Sequence, residues 1–155
     1  MTRFSARNES EAVVAAARDE IWAVLTDPGL LTQLTPLLQH VEADGDLWRW
    51  DLARIPVLGV AVAPSFTERM TFEPTSRIAF THAPPSGATE RAGVHGWYAL
   101  VDVAGGTLLS TALSVEVDLP LPKASSIAVR GVMRTVMARM GGRFGANLEC
   151  HLGLR

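Results

Sequence analysis

Glu68 and His82 are the two residues of this chain best suited to move a proton. Each sits in a segment with the two-residue alternation of a half-buried strand. In Ser65–Glu73, Phe66, Glu68, Met70 and Phe72 share one face, and Thr67, Arg69 and Thr71 share the other. The aromatic face should point inward and take Glu68 with it. In Arg77–His82, Ile78, Phe80 and His82 are in phase. Pro74-Thr75-Ser76 reads as a turn, so the two strands should form a hairpin. Phe72 then falls near Ile78, Met70 near Phe80, and Glu68 near His82. A carboxyl group in an apolar cavity has its pKa raised, and a neighbouring imidazole could relay its proton. The plainer expectation pairs Glu68 with an arginine at a cavity rim and leaves His82 exposed at a strand end.

The other inward phases offer much apolar surface and few polar atoms. Trp48, Trp50 and Leu52 alternate with Arg49 and Asp51. The two indoles could bed a ring-shaped ligand or simply be core. Over 89–103, Val94, Tyr98 and Leu100 form one set, and His95, Trp97, Ala99 and Val101 the other. Tyr98 could orient a ligand carbonyl through its hydroxyl, or serve as a core aromatic. Over 107–119, Leu109, Thr111, Leu113, Val115 and Val117 face one way. Met133, Met137 and Met140 form an adaptable stripe that suits a varied pocket but reads first as core. Arg134 follows that stripe by one position and could reach an anionic group at a mouth. The candidate cavity is therefore Trp48, Trp50, Phe66, Glu68, Met70, Phe80, His82, Tyr98, Thr111, Leu113, Met133, Met137 and Met140. Only Glu68 and His82 are candidates for catalysis.

Stronger chemical signatures are missing from the sequence. It has no phosphate-binding loop, nucleophile elbow, zinc-protease helix or Cys-x-x-Cys pair. His40, His82, His95 and His151 fall in four different expected elements, so neither a metal site nor a cofactor is expected. Fourteen Lys and Arg against sixteen Asp and Glu give a net charge of −2, which argues against nucleic acid as a partner. No run of about 18 apolar residues occurs, so integral membrane association is not expected. The opening residues MTRFSARNES lack the apolar stretch of a signal peptide. The single cysteine, Cys150, cannot form an internal disulfide. Both features suit a reducing, cytoplasmic setting, with Cys150 as an inert buried thiol. A homodimer is left open.

The elements that must position these residues can be read along the chain. At 155 residues and 48% hydrophobic content, the sequence is one domain, 1–155, able to bury a core without a metal or disulfide. Residues 3–16 read as a strand. Residues 17–25 read as a helix with Ile21, Val24 and Leu25 on one face and Asp19 and Glu20 at its positive end. Asp27-Pro28-Gly29 breaks it. Leu30, Leu31, Leu34, Leu37 and Leu38 suggest a second short helix ending near Gln39 and His40. Residues 41–52 read as two strands joined at Asp44-Gly45. The stretch 55–64 is apolar but broken by Pro56, Gly59 and Pro64, so it should form a rim or lid and not a central strand. Strands at 65–73, 77–82, 89–103 and 107–119 follow. A long helix then runs from about Pro122 to His151, with Ser125 a candidate cap. Val129, Met133, Val136, Met137, Met140, Phe144 and Leu148 recur in it every three or four residues. Its Gly141, Gly142 and Gly145 either permit close packing or mark a kink.

Three stretches of this order resemble the START-like (SRPBCC) helix-grip superfamily, which includes polyketide cyclase/dehydrase-like and lipid-transport domains. They are 16–28 (AARDEIWAVLTDP), 66–82 (FTERMTFEPTSRIAFTH) and 96–117 (GWYALVDVAGGTLLSTALSVEV). The first resembles the family's helix with a central aromatic residue and a D-P stop. The last resembles its paired strands with a Gly-Gly-Thr turn. The resemblance covers nearly the whole chain and rests on structural punctuation, so it speaks to fold more than to function. It implies an α+β fold: a curved antiparallel sheet of about seven strands wrapped around a long C-terminal helix, with two short helices after the first strand and a cavity between helix and sheet. Three functions are compatible with that fold. The first is binding or transport of a small hydrophobic molecule, such as a lipid, a polyketide or another aromatic-like compound. The second is a polyketide cyclase, aromatase or dehydratase that uses acid/base residues of the cavity. The third is a non-catalytic interaction protein whose interior is filled by its own side chains. The apolar inward phases and the missing catalytic constellation favour the first.

Overall fold

A computed structural model describes residues 1–154. Nine strands and three α-helices follow in the order β1 (Thr2–Val14), α1 (Arg18–Leu25), α2 (Pro28–Leu34), β2 (Leu38–Asp44), β3 (Leu47–Leu52), β4 (Ile55–Val57), β5 (Val60–Val62), β6 (Ser65–Glu73), β7 (Arg77–His82), β8 (Ala92–Val103), β9 (Gly106–Leu119) and α3 (Ser126–His151). Seven strands form one antiparallel sheet in the order β1-β9-β8-β7-β6-β3-β2. The expected seven-stranded sheet, long C-terminal helix and two short helices are all present.

Local chemistry sets most boundaries. The Glu20 carboxylate accepts from the Ala17 N–H at 3.2 Å and fastens the start of α1. Asp27-Pro28 does more than end α1. The Asp27 carboxylate accepts from the Leu30 N–H at 3.1 Å, and Pro28 takes the first turn of α2, where its missing N–H costs nothing. The second helix is shorter than its leucine pattern suggests. Thr35, which precedes Pro36, is extended, and Leu38 already pairs with Leu52 in the sheet. The leucine spacing ran across a helix end that the proline enforces.

At the C-terminal end, a single 3-10 turn, Lys123–Ser125, precedes α3. Ser125 makes no capping bond; the Ser126 hydroxyl donates to the Lys123 carbonyl instead. α3 then continues without interruption to His151. A Cβ placed on Gly141, Gly142 or Gly145 would meet no atom within 4 Å, so close packing does not account for these glycines. Nothing in the structure explains them.

Two clusters make up the interior. One gathers α1, α2 and the far end of α3 over the sheet, through Ile21, Val24, Leu31, Trp48, Met70, Ile78, Phe80, Leu100 and Leu148. The other joins Val129, Met133 and Met137 of α3 to Phe4, Phe66, Val117, Leu119 and Val57. Met140 is half-buried and belongs to neither cluster among the described residues, so the expected methionine stripe is interrupted at its third member. Cys150 is exposed and not buried. In β8, a Cβ on Gly96 would lie 2.0 Å from the Ala112 carbonyl oxygen. Only glycine allows the strands to approach so closely there.

Candidate functional site

Between the two clusters lies a seam. Trp50, Leu52, Val94 and Leu113 pack against both clusters and are only half-buried, although they come from the inner phase of the sheet. Tyr98 and Thr111, paired across β8 and β9, are half-buried in the same way. In the first cluster, by contrast, Ile21, Ile78 and Leu148 expose nothing. The inner face is therefore more accessible in its middle than where the first cluster packs.

Three polar atoms in this region are buried without a hydrogen-bond partner: Nε1 of Trp50, Oε2 of Glu68 and Oγ1 of Thr111. Glu68 is 3% exposed, and among the described residues it has no hydrogen bond and no basic partner. Burial pushes its carboxyl well above the usual carboxylate range. Burial, and secondly the Glu68 carboxyl, likewise push the Tyr98 phenol up, so these two groups feel one another. Tilted aromatic pairs stand in the same interior. Trp48 lies 6.0 Å from Trp50 and 5.8 Å from Phe72, and Phe80 lies 5.5 Å from Tyr98, measured between ring centroids.

The hairpin register matches its expectation pair for pair: Phe72 opposite Ile78, Met70 opposite Phe80, and Glu68 opposite His82. The side chain of His82 nevertheless departs from the inner set. Its Nε2 lies 2.8 Å from Glu90 Oε1, and its ring stands edge-on to His95 at 6.4 Å. The Glu90 carboxylate also accepts from the Thr67 N–H and the Thr67 hydroxyl, both at 2.8 Å. Thr67 and His95 belong to the phase opposite Glu68. A Cβ on Gly93, in that same outer phase, would fall 2.5 Å from Nδ1 of His82. The imidazole thus occupies the side of the sheet away from Glu68, and no hydrogen bond joins the two candidate acid/base residues.

The physical reason lies at the end of β7. Its pairing with β8 stops at Phe80 opposite Gly96, although β7 continues to His82. Beyond that last pair, the His82 N–H donates to the His95 side chain at 3.3 Å, and the His82 ring meets the carboxylate that the following loop delivers. Burial alone would raise the Glu90 carboxyl, but the two Thr67 donors and His82 outweigh it and hold it below the usual range. Sequence reasoning missed Glu90 because it lies in a loop and has no periodicity. β8 also starts later than expected, at Ala92, since 83–91 is the loop that carries it.

The apolar stretch 55–64 holds a two-stranded hairpin apart from the main sheet, as its prolines suggested. Its turn is Leu58-Gly59, with φ of 47° and 84°. Val57 is buried in the same cluster as Val129, Met133 and Met137 of α3. A cleft of about 230 Å³ opens between hairpin and helix, lined by Leu37, Arg54, Ile55, Pro56, Thr135, Val136 and Arg139. Arg139, not Arg134, stands there. Among the described residues, no group of three or more His, Cys, Asp or Glu side chains is placed to hold a metal. Among the described residues no helix is long and apolar enough to cross a membrane.

No protein-family model matches the chain, and no curated protein matches it. Solved structures do. The chain superposes on the di-domain ARO/CYC StfQ of the steffimycin biosynthetic pathway with a TM-score of 0.65 and 15% identity, over 95% of its own length and 50% of StfQ. It thus spans half the length of that protein. The Zhui aromatase/cyclase from Streptomyces sp. R1128 matches with a TM-score of 0.63 and 18% identity, over 93% of this chain and 92% of Zhui. Ara h 8.0201 matches with a TM-score of 0.59 and 16% identity, over 96% and 99%. The fold is a helix-grip. At these identities the likeness concerns the fold alone, so the use of this helix-grip interior must be argued from its own residues.

Proposed function

We propose that this protein binds, and carries, a small hydrophobic molecule in the interior between the sheet and α3. One observation carries the reading: the inner residues Trp50, Leu52, Val94 and Leu113 pack against both clusters yet stay half-buried. A folded chain with nothing to accommodate would close such a seam, since interiors pack to crystal-like density. Of the expected lining set, Trp50, Tyr98, Thr111 and Leu113 are half-buried and Glu68 is unpartnered, whereas Trp48, Phe66, Met70, Phe80, Met133 and Met137 are buried in the clusters, His82 serves the Glu90 cluster and Met140 is half-buried outside both. The β4–β5 hairpin would be the lid, and the cleft beside Arg54 and Arg139 the approach.

An enzyme of the cyclase, aromatase or dehydratase type is the second reading. It draws support from the fold shared with Zhui and StfQ. Its acid/base pair is not assembled, because the His82 imidazole is held by Glu90. Glu68 alone would have to act. Glu68→Gln separates the two readings: a carrier keeps its ligand with a modest change in affinity, whereas an enzyme loses turnover with little change in binding. The direct test of binding is mass spectrometry, under native conditions, of small molecules that co-purify with the protein. A recovered hydrophobic compound supports the carrier. An interior that stays empty and accepts no apolar probe supports an interaction protein instead.

A further inference from the structure

Taking the binding reading as its basis, the pattern of unpartnered atoms narrows what the ligand can be. Trp50 Nε1 only donates, the Thr111 hydroxyl both donates and accepts, and a protonated carboxyl does both. Each is shielded from solvent and lacks a partner within the protein. Leaving buried polar groups unmade is costly, so they call for complementary atoms from outside the chain. Trp50 and Glu68 stand diagonally across the β3–β6 pair, where Trp48 is opposite Glu68, so one ligand can meet both, whereas Thr111 lies three strands from Glu68, on β9. Among the described residues no Arg, Lys or His is buried, and none pairs with Glu68. An anionic ligand would bring its charge beside a carboxyl group with no cation to offset it. A pure hydrocarbon would leave all three groups unmatched.

We infer that the occupant is an uncharged apolar molecule bearing oxygen, as a carbonyl or hydroxyl group, which accepts from Trp50 and exchanges hydrogen bonds with Glu68. A carboxylate placed beside Glu68 would lose its hydration with no cation in reach, so an acid is disfavoured there unless its head group stays at the Arg54 and Arg139 cleft. Trp48, Trp50, Phe72 and Phe80 supply flat apolar surface for its body.

Three near-isosteric probes test this by isothermal titration calorimetry at pH 7: 2-acetylnaphthalene, 2-ethylnaphthalene and 2-naphthoate. The acetyl compound should bind about tenfold tighter than the ethyl compound, the worth of one or two made hydrogen bonds. Naphthoate should bind most weakly. Glu68→Leu should remove most of the acetyl preference while keeping ethyl binding, and Trp50→Phe should remove part of it with the ring surface retained. Equal binding of the acetyl and ethyl compounds overturns the inference and leaves the carrier reading standing, with water as the partner of the three groups. Naphthoate binding as tightly as acetylnaphthalene overturns the inference in the same way. A preference that survives Glu68→Leu and Trp50→Phe overturns the assignment of these residues. Failure of all three probes to bind overturns the carrier reading and the inference together.

Discussion

β6 carries two carboxyl environments on its two sides, one residue apart. On the outer side, Thr67 receives Glu90, whose oxygens are bonded to a backbone N–H, a hydroxyl and an imidazole. On the inner side, Glu68 is more deeply buried and bonded to nothing among the described residues. The first arrangement is what a folded chain does with a carboxylate it needs for structure: it ties the 83–91 loop to β6 and β7. The second resembles a binding site awaiting its partner, because an unmade buried group is tolerated where function requires it. Burial alone does not distinguish the two carboxyl groups. The hydrogen-bond inventory does, and their pKa values move in opposite directions accordingly.

The largest expected effect comes from creating an unpaired charge in a well-packed region. Met137→Asp puts a carboxylate among Val129, Met133 and Val57. An uncompensated buried charge should cost roughly 3–5 kcal/mol, enough to unfold the domain or nearly so. A variant melting within a degree or two of the parent would show that the α3 stripe is not core and that the seam extends along it.

Next in size is the removal of Glu90. Glu90→Ala strands the Thr67 donors and the His82 ring, at about 2 kcal/mol in urea unfolding. Glu68→Leu should have the opposite sign, a neutral effect or a gain of about 1 kcal/mol, because it deletes a group with no partner to lose. If both changes destabilise equally, the contrast between satisfied and unsatisfied carboxyl groups collapses.

The same contrast predicts two pH dependences. The folded-state pKa of Glu68 is raised, so the folded form holds its proton more firmly than the unfolded chain. Its stabilising contribution is full below the ordinary value of 4.5 and is lost as pH rises through the raised value. Glu90 is lowered, so its contribution is present above 4.5 and lost as pH falls through its depressed value. Thermal melts across pH should flatten on the alkaline side in Glu68→Gln and on the acid side in Glu90→Gln. Exchanged signs would break the comparison.

The smallest effect concerns the lid. Amides of Val57 and Val60, paired in the β4–β5 hairpin, should exchange faster than those of β8 and β9 and slow when 2-acetylnaphthalene is added. Full protection in the ligand-free protein would rule out gating by this hairpin.

Much of this molecule is legible in its sequence. Alternation in β6 and β7 and the Pro74-Thr75-Ser76 turn determine the hairpin register, and hence that Glu68 stands inward opposite His82. These are short-range matters, set by a period of two and a tight turn. The leucines after Pro28 misled because a helical spacing carries no information about a proline that ends it. The orientation of His82 was decided at long range. Where β7 leaves β8, alternation no longer constrains the side chain, and a carboxylate eight residues further on draws the ring outward. The isolation of Glu68 is likewise tertiary. Its sequence neighbours are fixed, but whether an arginine, a serine or nothing stands across from a carboxyl group depends on how seven strands and α3 close around it. A periodic pattern determines which face a residue takes; the hydrogen-bond partners on that face come from segments distant in the chain, and only their packing brings them into reach.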